Sequence, residues 1–336
     1  MFERLVENAR RLYRWYSMRR NHPAFRLLHG ACTVGILAAS AWFIWSKASS
    51  GYATILATDV LLDPRRLIVS SLCTAASTAL GAWEWTLLIN ALGARLDVAR
   101  GMRIHLTANL VKYVPGFVWP YVGKTYLASR QGVPAKTAAL SVVGELLVLF
   151  LDGFLVLLLS LPNSGIVSWS APQRLALQMS AMALAGIIVV GIPFAGRRLM
   201  HLLGEGHLAQ GLPKRIDWGQ IVFVVVAVLL TWYLLGFGFS ALSVPMAPSA
   251  WRDVLRQTTA LALALLVGQV AFFAPLGIGV REAILIALLG SDGSAAVIVV
   301  AALVFRIEMM IGEVTCALIA ILVGKLRAIR QNNPNG

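Results

Sequence analysis

The chain has few of the residues that build disulfide frameworks or metal sites. Three of its 336 residues are Cys and five are His. Each Cys lies alone in an apolar segment without a CxxC pair, so the pattern indicates neither disulfides nor a zinc site. The histidines lie near segment ends, where we expect positions at the membrane interface rather than metal binding. These residues are Cys32, Cys73 and Cys316, and His22, His29, His105, His201 and His207.

The sequence motifs of common soluble enzymes are also missing. The chain contains no GxxxxGK[ST], no HExxH and no GxSxG, and it has no polar stretch long enough for a catalytic domain. ATP hydrolysis is therefore not expected. We expect a protein that is not an enzyme and that needs no cofactor or metal.

Charged residues are scarce as well, whereas apolar residues are abundant. The chain is 13% charged and 58% hydrophobic, with a mean hydropathy of +0.76. A water-soluble domain could not bury that much apolar surface, so the composition predicts a polytopic membrane protein. The net charge of +14 does not point to nucleic acid, because Lys and Arg are concentrated at the N-terminus and in a few loops.

Six apolar segments have the length of about 20 residues that a membrane-spanning helix needs. Two further segments, 104–131 and 251–290, are interrupted by Pro, Gly and charged residues. We expect each to form two half-helices that enter and leave on one side of the membrane. The fold class is therefore all-α, with about six full transmembrane helices and two re-entrant broken hairpins. The six spans are 27–46, 66–90, 136–160, 173–192, 217–243 and 295–324.

The two termini are expected in the cytoplasm. Most of the 29 basic residues then fall on the inner side, as short cytoplasmic loops require. Residues 1–26 carry apolar residues at three- and four-residue spacing, with Arg between them. This pattern predicts an amphipathic helix on anionic lipid, and the alternative is a charged tail that only sets orientation. Residues 326–336 are expected to be a cytoplasmic tail.

The broken segments are expected to belong to an inverted repeat, with units at about 104–160 and 251–324. The first hairpin would enter from the cytoplasm and the second from outside, as in transporters with a site at the membrane midplane. When the two repeat units are aligned with an offset of 161 residues, Arg306 aligns with Glu145 and Glu313 aligns with Asp152. The expected hinges are Pro115, Gly116, Pro275, Gly277 and Gly279.

The broken segments also carry a family resemblance. Lys112–Trp119 (KYVPGFVW), then Gly132 and Glu145, and finally 275–282 (PLGIGVRE) resemble the lysylphosphatidylglycerol synthase transmembrane family, whose domains are flippase-like. The resemblance covers about residues 27–325; Leu276 and Lys124 depart from the common Gly and Arg. It implies that a lipid with a polar headgroup is moved between leaflets of the bacterial inner membrane. Because the chain ends at Gly336, we expect the lipid-moving part without an aminoacyltransferase domain.

A phosphate-bearing headgroup needs cations along its route through hydrocarbon. Arg281 and Arg306 are the expected central ligands, since the planar guanidinium binds phosphate through two contacts. Lys112 and Lys124 would form the cytoplasmic entry, with aromatic side chains at headgroup level. Those aromatic residues are Tyr113, Trp119 and Tyr121. The alternative is that these cations pair with carboxylates and only close the fold.

The acidic residues are expected to form a charge network with these cations. They would either exchange protons during transport or hold a cationic headgroup, although pairing alone is the simpler role for Glu308. The network comprises Glu145, Asp152, Glu282, Glu308 and Glu313. Trp83, Glu84 and Trp85 resemble the polar-aromatic patch of this family's second segment, and the alternative is an interfacial or packing role.

The leading functional hypothesis is a flippase for a phospholipid or a polyprenyl-phosphate-linked sugar. The alternative is a scaffold that moves no lipid and docks a cell-envelope glycosyltransferase through its N-terminal helix and basic loop 193–216. An enzyme that uses the intramembrane carboxylates is the third possibility.

Overall fold

The described part of the chain is entirely helical. The computed structural model describes Trp42, Trp45, Ser46, Ser49 and residues 63–113, 119–202, 218–243, 250–271, 274, 277–290 and 295–332. Nine α-helices and one 3₁₀ turn occur in these ranges, without a strand, which confirms the all-α class. Residues 1–26, where a surface helix is predicted, most of the predicted span 27–46, and Pro115, Gly116 and Pro275 lie outside the described residues.

The helices are numbered here in chain order. They are α1 (Pro64–Ala91), α2 (Val98–Asn109), the 3₁₀ turn η1 (Leu110–Tyr113), α3 (Trp119–Ser129), α4 (Ala135–Ser164), α5 (Ala171–Leu202), α6 (Trp218–Ser243), α7 (Ala250–Val270), α8 (Val280–Leu289) and α9 (Ala295–Asn332).

Three of these helices combine the length and the apolar composition of a membrane span. They are α4, the part of α6 from Val226 to Ser243, and the part of α9 from Ala295 to Arg327. Helix α1 is 28 residues long, but it carries buried polar side chains along its length, including Ser70, Thr74 and Ser77. Such residues lower the hydropathy of a helix that is enclosed by other helices. The count of six spans therefore stays a prediction.

Local sequence signals set several helix ends. Helix α1 begins at Pro64, whose missing N–H is no loss in the first turn, and the Asp63 carboxylate accepts a hydrogen bond from the Arg65 N–H at 2.9 Å. Helix α4 ends at Gly165, which has a φ of 73° that favours glycine.

Helix α1 is the centre of the bundle. It packs on α6, α9 and α2, while α7 packs on α4 and α6. Small residues bring these helices together. A Cβ at Gly236 of α6 would overlap Thr258 of α7, and a Cβ at Gly153 of α4 would lie 2.7 Å from Leu266 of α7. The glycines thus permit the close helix packing that small residues give in membranes.

Both interrupted segments form two helices that pack against each other, α2 with α3 and α7 with α8. Helices α2, α3 and α8 have 12, 11 and 10 residues. At 1.5 Å per residue, none reaches across a hydrocarbon core of about 30 Å. Helix α7 differs from the expected half-helix, because its 21 residues match the length of a full span. Its apolar run continues to Val270, so the break falls late in the segment.

Candidate functional site

Charged side chains from several helices meet inside the bundle. Three ion pairs each join different elements, with Lys124 of α3 on Glu145 of α4, Lys112 of η1 on Glu313 of α9, and Arg306 of α9 on Glu282 of α8. We call these six residues and their charged neighbours the central charge cluster. It lies where the two interrupted segments contact the long helices.

Lys124 lies in the protein interior at one end of this cluster. Its ammonium is 2.7 and 2.6 Å from the two carboxylate oxygens of Glu145, and its side chain is 2% exposed. It also lies 5.5 Å from the centre of the Trp85 ring, a cation–π contact. This geometry favours the pairing alternative for Lys124 over the expected headgroup entry.

His105 completes the surroundings of Lys124, and its expected interfacial position is wrong. The ring lies in the middle of α2, is 6% exposed, and places Nδ1 3.3 Å from the Lys124 ammonium. Its Nε2 lies 2.8 Å from the amide nitrogen of Asn109. The four-residue spacing of His105 and Asn109, which puts both on one helix face, was the available sequence signal.

The Lys112–Glu313 pair connects the two ends of the cluster. The Lys112 ammonium lies 2.5 Å from Glu313 Oε1, and the Glu313 side chain is 9% exposed. Lys112 is within electrostatic range of Lys124, and Glu313 is within range of Arg281. The first interrupted segment is thereby tied to the helix that carries Arg306.

Glu282 organises the other end of the cluster. One of its oxygens lies 3.2 Å from Arg306 Nη1, and the other accepts a hydrogen bond from the Gly279 N–H at 2.7 Å. The Glu282 side chain is 3% exposed. A single carboxylate therefore caps the start of α8 and joins α8 to α9.

Arg281 lies against the break between α7 and α8. A Cβ at Gly268 or Gly277 would come within 2.6 or 2.9 Å of its side chain, so these glycines make room for it. Its buried Nε has no hydrogen-bond partner among the described residues. Arg306, Glu282 and Glu313 all lie within its electrostatic range.

The remaining acidic residues are held differently. Glu308 accepts a hydrogen bond from the Ser70 hydroxyl of α1, rather than pairing with Arg306 two positions away. Glu84 accepts one from Thr231 of α6 at 2.8 Å. Asp152 is buried and forms no hydrogen bond or ion pair within the described part of the chain.

Glu84, whose role the sequence left open between a polar-aromatic patch and a packing role, is a charged neighbour in the central charge cluster. It lies within electrostatic range of both Glu145 and Asp152. A carboxylate inside a 28-residue helix of mostly apolar residues was the signal that could have identified it.

Tyr121 is one of the three aromatic residues predicted to line the cytoplasmic entry for the headgroup, and the structure describes the surroundings of its side chain. Its hydroxyl accepts a hydrogen bond from the Gln269 amide of α7 at 3.2 Å, which joins the two interrupted segments. The backbone of Tyr113 ends η1 and that of Trp119 begins α3, but their side chains lie outside the described part.

Sequence comparison relates this arrangement to known proteins. A family model described as the lysylphosphatidylglycerol synthase TM region matches residues 32–312, and no curated protein matches the chain significantly. The matched range contains both interrupted segments and the paired charges described above, apart from Glu313, which follows its last residue.

Proposed function

Because the chain belongs to the lysylphosphatidylglycerol synthase transmembrane family, we propose that it is a lipid flippase of the bacterial inner membrane. Its substrate is a lipid with a phosphate in the headgroup, either a phospholipid or a polyprenyl-phosphate-linked sugar. The protein moves this lipid between leaflets and performs no chemistry on it.

The environment of the Arg281 side chain is the observation that supports this proposal most strongly. This side chain lies within electrostatic range of Arg306, and its buried Nε has no hydrogen-bond partner among the described residues. Glu282 balances one of these two arginines, while Glu313 is balanced by Lys112. Arg281 is therefore the cation that we propose meets the single negative charge of a phosphodiester.

The proposed route runs between the two interrupted segments. We place them as re-entrant hairpins of opposite orientation in an inverted repeat, with both termini in the cytoplasm. The short α2, α3 and α8 support this arrangement, as does the Tyr121–Gln269 hydrogen bond between the segments. Lys112, whose side chain is 31% exposed, is the better candidate than Lys124 for first contact with a headgroup.

Headgroup selectivity tests the proposed substrate class. Purified protein in liposomes should exchange fluorescent phosphatidylglycerol between leaflets faster than the same lipid with its phosphate esterified to a neutral triester. Unlabelled phosphatidylglycerol should compete. Equal rates for both lipids would contradict recognition of the phosphate charge, and purified protein that moves neither lipid would favour the glycosyltransferase scaffold.

A further inference from the structure

Asp152 is a buried carboxylate that the proposed headgroup site does not use. It lies on α4, is 6% exposed, and has no hydrogen-bond or ion-pair partner within the described residues. An ionised carboxylate is costly in such surroundings unless a cation or hydrogen-bond donors compensate it. The position therefore calls for a ligand that neutralises the charge.

Glu84 of α1 adds a second acidic side chain within electrostatic range of Asp152. Glu84 accepts a hydrogen bond from Thr231 and is within electrostatic range of Asp152 and of Glu145. Glu145 is compensated by Lys124. Within the described part of the chain, no ion pair compensates Glu84 or Asp152 in the same way.

Among the side chains that the structure describes, the helices packed around Asp152 supply no cation to this pair. Helix α7 faces the adjacent Gly153 with the apolar Leu266, and α5 contacts α4 through apolar side chains at Leu155. The described polar or charged groups in this region come from three neighbouring helices. Helix α1 contributes Glu84, and α3 contributes Lys124, which already forms an ion pair with Glu145. Helix α6 contributes Thr231 and Tyr233, and the Tyr233 hydroxyl is hydrogen-bonded to Ser160 of α4.

We propose that Glu84 and Asp152 form a proton-binding site that couples lipid movement to proton movement. One proton from water on one side of the membrane forms an O–H bond with a carboxylate oxygen of Asp152 or Glu84. Breaking that bond releases the same proton on the other side, and no other atom or electron is exchanged. A metal ion is a poorer occupant, because the described residues contain no group of three acidic, His or Cys ligands.

The site has a physical connection to the lipid route. Protonation changes the charge next to Glu145, whose pairing with Lys124 holds α3 against α4. Helix α3 also carries Tyr121, which is bonded to α7 ahead of the break at Arg281. A change in this pairing can therefore shift the two interrupted segments relative to each other.

This inference rests on the proposed flippase function, and liposomes with an imposed pH gradient test it. Labelled phosphatidylglycerol reports lipid movement and an enclosed pH dye reports proton flux. For wild-type protein we expect lipid accumulation in one leaflet together with proton flux. One proton moving down a gradient of about two pH units can sustain up to a ~100-fold lipid ratio.

Two conservative substitutions identify the residues. Asp152→Asn should keep lipid exchange in the absence of a gradient, and both Asp152→Asn and Glu84→Gln should lose gradient-driven accumulation and the linked proton flux. Asp97→Asn is the matched control, because its carboxylate is 55% exposed at the start of α2, and it should behave as wild type. Thermal unfolding of each variant shows whether it is folded. If neither variant folds, lipid accumulation and proton flux by the wild-type protein under the pH gradient decide whether the two movements are coupled.

The outcomes separate the two claims. Wild-type lipid exchange that ignores the pH gradient would overturn the proton site and leave the flippase intact, as would accumulation driven by a sodium gradient at equal pH. Unchanged coupling in folded Asp152→Asn and Glu84→Gln would also overturn it. Wild-type protein that moves no lipid would remove the proposed function and this inference together.

Discussion

At the scale of single residues, Arg306 and Arg281 are held differently although both lie beside Glu282. Arg306 pairs with the Glu282 carboxylate, whose side chain is 3% exposed. Arg306→Gln should therefore leave a buried charge without its cation and lower the free energy of unfolding by about 3 kcal/mol. Thermal unfolding in detergent measures this change. An unaltered melting temperature would show that the pair does not hold α8 to α9.

Arg281 is the comparison for Arg306, because its Nε has no hydrogen-bond partner among the described residues. Arg281→Gln should change stability by less than about 1 kcal/mol, since no pair comparable to Arg306–Glu282 is broken. Lipid exchange should fall at least about tenfold, because a buried contact to a charged ligand is lost. A stable variant with a normal exchange rate would refute a role in headgroup binding, and a variant that unfolds would favour a structural role.

At the scale of elements, Gly277 shapes the break before α8. Its φ is 69°, and a Cβ there would lie 2.9 Å from Arg281 Nε and 3.0 Å from the Gly268 carbonyl oxygen. Gly277→Ala should destabilise the protein by about 1–2 kcal/mol and displace Arg281. Gly81→Ala in α1 is the control, because a Cβ there meets nothing within 4 Å.

Thermal unfolding and lipid exchange of both glycine variants provide the comparison. The Gly81 variant should be stabilised by up to about 1 kcal/mol through helix propensity and should exchange lipid normally. Equal behaviour of the two variants would show that the backbone at Gly277 does not position Arg281.

The ends of the first interrupted segment give a direct test of re-entry. Asp97 precedes α2, and Gln131, which is exposed, follows α3. In a chain whose native Cys are replaced by Ser, cysteines at 97 and 131 should both react with a membrane-impermeant reagent from the cytoplasmic side. Labelling from opposite sides would show that 104–131 crosses the membrane, and the inverted repeat would then be wrong.

The sequence predicted that both interrupted segments contain a break between two helices, because the causes of such breaks are local. Gly and Pro disrupt α-helical backbone wherever they cluster, and the structure has positive φ angles at Gly277 and Gly279, immediately before α8. The length of α7 was not predictable in the same way. Its N-terminal residues Arg252, Asp253 and Arg256 lower the hydropathy of a helix that nevertheless continues for 21 residues, because packing on α4 and α6 stabilises it.

At the scale of the whole molecule, composition and two motifs were enough to identify the class and the family. The partners inside the cluster were not predictable, because they depend on which helices become neighbours. Lys112 and Glu313 are 201 positions apart, and the pattern of charges alone offered several carboxylates for each cation. Local signals marked His105 and Glu84 as candidates, but their roles depend on the burial of Lys124 and Asp152 around α1 and α4.

Leaflet exchange by the purified wild-type protein tests the central claim most directly. Fluorescent phosphatidylglycerol is placed in both leaflets of protein-containing liposomes, and a membrane-impermeant reductant is added outside. The flippase hypothesis predicts that the label in both leaflets is bleached, at a rate that rises with the amount of protein, whereas liposomes without protein lose only the outer label. Loss of the outer label alone, from liposomes that contain folded protein, would contradict the account.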